Sequence, residues 1–169
     1  MTESEWLACT NHIDLVRFVA SLVSGKKLRL FAVECCRRQQ SLFIDQKPCY
    51  WQGVVVAERY AKGQASLEEL ARMYDVCDND AHYESDPVAF YVQNAALSVT
   101  WNVVLGPPEL PIQPDVFAAE STPVNIRDAM YRVETRKGTD SFARQVCDAE
   151  EAIQLKLLHE IIGNPLRPA

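Results

Sequence analysis

The residues whose types and spacing come nearest to chemistry are two adjacent cysteines followed by two arginines, Cys35-Cys36-Arg37-Arg38. A cation beside a thiol stabilises the thiolate, which is the nucleophilic and metal-binding form, so Cys36 next to Arg37 is a candidate reactive thiol. Successive helical side chains diverge by about 100°. The two cysteines therefore cannot join in a disulfide while a helix runs through them. Packing is the competing role, because unoxidised cysteine is among the most buried side chains. Metal chemistry needs spaced ligands, and there is no Cys-x-x-Cys; His12, His82 and His159 fall on separate predicted helices. His159-Glu160 opens like a zinc-protease pattern, but Gly163 stands where the second histidine belongs. Cys49, Cys77 and His82 could meet only through the tertiary fold. The acidic run Asp75, Asp78, Asp80, Glu84 and Asp86 lacks the central glycine of a calcium loop. Ser24-Gly25-Lys26-Lys27 lacks the first glycine of a phosphate cradle, and no Gly-x-Ser-x-Gly elbow occurs. No complete catalytic set emerges, and no cofactor is expected.

A second constellation is electrostatic. Lys26, Lys27, Arg29, Arg37 and Arg38 against Glu34 place a local charge of +4 within thirteen residues. Nucleic acid could dock on such a helix. Yet the whole chain carries -6, the basic side chains point in several directions, and internal ion pairs are the more economical use for them. Arg37 falls between Leu30 and Val33 on a helical projection, so it must run its stem to water or meet a carboxylate from another helix. Pro108, Pro111 and Pro114 form two overlapping Pro-x-x-P spacings without a basic flank, read here as a rigid connection.

The elements that must position these groups are legible from glycine and proline. Gly25, Gly63, Gly106, Gly138 and Gly163 each follow a helix-favouring stretch, while Pro48, Pro87 and Pro123 sit at helix starts, with Asp86 and Thr122 as N-caps. No alternating β-branched run appears. The plan is a helix at 3–9, a second at 13–23, a third at 26–43 and a fourth at 49–62. A fifth opens with a Ser66/Glu69 capping box. A sixth covers 87–105, a proline-rich connection occupies 106–121, a seventh covers 123–137 and an eighth 140–162. Phe142, Val146, Ala149, Ile153 and Leu157 mark the core stripe of the last helix. The third carries apolar residues on two faces, with Leu28, Phe31, Ala32 and Cys35 on one and Leu30 and Val33 on the other. The expected fold is all-α, one irregular bundle of about seven to eight helices across 1–169 with a short tail at 163–169; the third, sixth and eighth helices form the inside.

The opening MTESEWLACT, the box KLRLFAVECCRR, the stretch VVAERYAKGQASLEEL and the ending EIIGNPLRP resemble a family of uncharacterised bacterial proteins that occurs in many copies in some genomes. The resemblance covers the first 70 residues and the C-terminal end, and it implies no established activity. Relatives often carry a further cysteine where Val33 stands, which argues against a metal role for the box here.

At 169 residues with 48% hydrophobic content the chain can bury its own core without metal or disulfide. MTESEWLACT has neither the basic nor the apolar region of a secretory signal, so a cytoplasmic location with six reduced cysteines is expected. The uncharged run from Pro87 to Pro108 holds Gln93, Asn94 and Asn102 and reads as a buried helix, not a membrane span. The functional expectation is a non-catalytic soluble interaction or scaffold module, its partner an unknown protein or a second copy. The alternatives are a thiol-dependent or metal-assisted enzyme centred on Cys36 and Arg37, and nucleic-acid binding through 26–38.

Overall fold

A computed structural model describes residues 1–79, 86–102 and 113–166. Among the described residues the chain is all-α, with nine helices and no strand: α1 (Glu3–Ala8), α2 (His12–Val19), α3 (Gly25–Arg38), α4 (Ser41–Ile44), α5 (Pro48–Ala61), α6 (Leu67–Asn79), α7 (Pro87–Thr100), α8 (Pro114–Lys137) and α9 (Asp140–Ile162). The capping chemistry explains several boundaries. Thr2 and Glu5 exchange hydrogen bonds in a capping box on α1, Asp86 accepts from the Val88 and Ala89 amides at the start of α7, and Thr139 caps α9. Ser66 accepts from the Glu69 amide at 3.2 Å, while the Glu69 carboxylate takes Arg59 at 2.5 Å. Gly63 and Gly163 close their helices at φ 74° and 75°, a left-handed geometry that glycine adopts without a Cβ clash.

Several expected boundaries need correction, among them Gly25, which opens α3 and does not close the helix before it. The third predicted helix does not run through Phe43: it breaks at Gln39, whose φ of -109° and ψ of 34° leave the helical region, and its Nε2 donates to Glu150 at 3.0 Å. The short α4 that follows supplies the ninth helix, leaves Ile44 72% exposed and turns Phe43 inward. The seventh predicted helix starts nine residues early. Pro114, not Pro123, occupies the first helical position of α8, and Pro123 lies inside this 24-residue helix. Thr122 is accordingly a buried interior residue and not a cap. The expected connection at 106–121 is therefore helical from 114 onward; its residues 106–112, with Pro108 and Pro111, lie outside the described residues, as do His82 and 167–169. An interior proline loses an amide donor and crowds the preceding turn, at a cost of about 3 kcal/mol. Burial of Ala118, Ala119 and Ile126 on both sides of it offsets that cost.

Packing also places a different helix at the centre. α8 lies against α2, α3, α7 and α9. α3 is apolar on two faces as expected, but their membership differs: Leu28, Phe31 and Cys35 join a cluster with Trp6, Leu15, Val19 and Leu158, whereas Ala32, expected beside them, joins Val33 and Cys36 in one built from α5, α6, α7 and α8, and Leu30 is half-buried outside both. Gly53 lets α5 approach its neighbours closely, since a Cβ there would sit 3.2 Å from both Cys77 Sγ and Thr100 Cγ2. No described helix is long and apolar enough to cross a membrane.

Candidate functional site

The basic box of α3 does not form one surface. Arg29, which is 1% exposed, is the most deeply placed of the five basic residues. Its Nε donates to Asp115 Oδ1 at 2.5 Å, one terminal nitrogen donates to the Val99 carbonyl, and the other donates to the Trp101 carbonyl at 2.9 Å. The guanidinium thus satisfies carbonyls left open at the C-terminal end of α7 and meets an acid in the first turn of α8, where each charge suits the local helix dipole. Tyr60 lies beside it, 5.4 Å from Cζ to the ring centre, and the same ring receives the exposed Lys26 at 5.5 Å.

The other cations are directed elsewhere. Arg37 meets the expected carboxylate, Glu58 on α5, with its side chain 37% exposed, and it also lies 5.8 Å over the Trp51 ring, a contact that was not anticipated. Burial works against the Glu58 carboxylate, but hydrogen bonds from Lys62 and Arg37 prevail and hold its pKa below the ordinary value. Arg38 is 3.6 Å from the buried Glu150 on α9. Lys27 is exposed. Among the described residues the pairing carboxylates thus come from α5, α8 and α9.

Cys36 is fully buried, and burial pushes its pKa well up; Cys35 shifts the same way for the same reason. The neutral thiol is the form held at both positions, so Arg37 beside Cys36 in sequence does not create a poised thiolate. Cys77 Sγ donates to the Cys49 carbonyl at 3.4 Å, bringing those two cysteines together, while His82 lies outside the described residues. No group of three metal-ligating side chains converges among the described residues.

The feature that the sequence reading placed wrongly is on α9. Phe142, Val146, Ala149, Ile153 and Leu157, taken as the core stripe, lie on the outside or at its edge: Phe142 is 51% and Ile153 38% exposed. The buried stripe is Ala143, Cys147, Glu150, Gln154, Leu158 and Ile162. Its polar members have partners that only the fold supplies. Gln154 donates to the Pro123 carbonyl at 3.3 Å, and Glu150 accepts from Gln39 on one oxygen while its Oε1 remains buried without a hydrogen-bond partner. A groove of about 250 Å³ opens beside the outer stripe, lined by Arg38, Ile153, Lys156, Leu157 and Glu160. A second, of about 280 Å³, has Phe43, Pro48 and Trp51 on its floor.

Neither family models, nor curated proteins, nor solved structures match this chain.

A titration accompanies this packing. His12 is 4% exposed and its Nε2 lies 3.2 Å from the Glu120 carbonyl. Burial lowers its pKa and outweighs the Glu120 carbonyl and the Glu120 and Glu151 charges, which raise it, while Arg127 lowers it further. The native state therefore resists a proton that the unfolded chain accepts near pH 6.5. Stability from this site is complete above about pH 6.5 and falls as pH drops below it. Urea midpoints should decrease from pH 7 to 5.5, and His12→Gln should flatten that decrease; an unchanged slope in the variant would assign it elsewhere, first to His159, whose pKa burial also lowers.

Proposed function

We propose that this protein is a non-catalytic helical interaction module whose partner is a protein. The observation that carries the proposal is the reversed polarity of α9, which holds Glu150 and Gln154 inside and exposes Phe142, Ala149 and Ile153, with half-buried Val146 and Leu157 at the edge of the same line. Apolar side chains aligned along several turns of one helix gain free energy only when another surface covers them. The basic box supports the same view: Arg29, Arg37 and Arg38 are engaged with internal carboxylates and are poorly placed to neutralise phosphates. The buried thiols of Cys35 and Cys36 serve the packing between the two core clusters.

A photo-activated cross-linking residue at position 153, compared with one at exposed Arg72, tests the proposal in expressing cells. Adduct formation with one defined protein, a second copy included, is expected at 153 and not at 72. Equal yields at both positions would count against a specific surface. Rapid modification of Cys36 in the folded protein would overturn the non-catalytic assignment; the expected rate is that of unfolding.

A further inference from the structure

Four of the five residues in the outer stripe of α9 are related by a local symmetry. The stripe's members recur at intervals of four, three, four and four residues, and a two-fold axis crossing α9 between positions 149 and 150 maps four of the five onto one another, Phe142 onto Leu157 and Val146 onto Ile153. The small Ala149 falls at that axis. We infer that two copies of this chain pair through α9 as an antiparallel helix pair, with Phe142 of each copy seated in the groove beside Leu157 of the other. This inference rests on the interaction-module reading and names its partner.

Three observations choose a second copy over another occupant. The first is the shape of the groove. Four of its lining residues, Ile153, Lys156, Leu157 and Glu160, stand at i, i+3, i+4 and i+7, which is the four-residue hole that receives one side chain from a facing helix. The second is that the matching knob is already on the chain at the required level. Phe142 is a large apolar residue, 51% exposed, and the axis that pairs Val146 with Ile153 brings it opposite Leu157. Both copies then fill both holes, as an isologous contact requires. The third is charge. The same register places Glu160, whose side chain is 60% exposed, level with Thr139, the N-cap of the partner's α9. A carboxylate there faces the positive end of the opposing helix dipole, and the antiparallel arrangement opposes the two dipoles along their length.

Sedimentation equilibrium of the purified full chain tests the pairing. A mass approaching twice 19.1 kDa with rising concentration is expected. Phe142→Asp and Ile153→Glu should each weaken association at least tenfold without changing helicity, since both positions are exposed in the single copy. Orientation is read from the double variant Val146→Cys, Ile153→Cys. Residues seven apart on one helix are about 10 Å apart and cannot bridge within a copy. Oxidation should give a dimer linked 146 to 153, whereas links 146 to 146, or a yield no higher than Arg72→Cys, would overturn the antiparallel pairing. A chain that stays monomeric while a position-153 cross-linker captures a different protein overturns self-pairing and leaves the interaction module standing. A monomer that captures nothing overturns both.

Discussion

Arg29→Ala is expected to destabilise the protein by about 3–5 kcal/mol, the range found when one partner of a buried charged pair is removed. The size follows from what is left behind. The Val99 and Trp101 carbonyls lose their donors at the end of α7, and Asp115, only 22% exposed, keeps its charge without the cation that compensated it. Against a total of about 5–15 kcal/mol for a typical domain, such a loss brings the fold near its limit. Arg29→Lys should recover only part of it, because one ammonium cannot reach three acceptors that a planar guanidinium spans at once. Asp115→Asn should cost less than Arg29→Ala, since the amide oxygen can still accept from Nε. Urea unfolding followed by circular dichroism gives all three values. A cost for Arg29→Ala within 1 kcal/mol of wild type would mean that water replaces the guanidinium and that Arg29 is not the clasp between α3, α7 and α8. Gly25 offers an independent check, since its Cβ would meet the Asp115 carboxylate; Gly25→Ala should disturb the same pair from the other side.

How much of this was legible in the sequence depended on the range of the interaction. The helix starts near 3, 87 and 140, the Asp86 cap and the stop at Gly163 follow from neighbours within a turn; the structure keeps them and adds Thr2 and Thr139 as caps that were not expected. Pro123 marks the limit of that logic: proline at a first helical position and proline inside a helix look alike locally, and only the burial of Ala118, Ala119 and Ile126 distinguishes them. The α9 register failed for a related reason. Its sequence offers two stripes of helical period, and the more hydrophobic one is outside because Gln39 and the Pro123 carbonyl accommodate Glu150 and Gln154 within. The pairing demand of Arg37 was readable because Leu30 and Val33 flank it on the same helix. That of Arg29 was not, since Asp115 is 86 residues away.

Trp6→Ala should cost a similar 3–5 kcal/mol, but its effect should be local where that of Arg29→Ala is global. Trp6 is 1% exposed; its ring meets Phe18 at 6.1 Å and stands edge-on to His159 at 4.7 Å between centroids. α1 has six residues, about half the length at which an isolated helix becomes even marginal in water. Its capping box organises the first turn but cannot attach the helix to the rest of the protein. Attachment comes from Trp6, assisted by a 2.8 Å hydrogen bond from Asn164 to Glu3 that ties the far end of the chain to the same place. Removing the indole should therefore release α1, so that amide exchange rises sharply over 3–8 and Cys9 is modified faster, while α5, α6 and α7 keep their protection. Trp6→Phe should retain α1 at a smaller cost, because it keeps an aromatic face against Phe18 and His159. A uniform rise in exchange across both core clusters would show instead that α1 and the α5–α7 cluster unfold as one unit, coupled through α3, whose two faces belong to both.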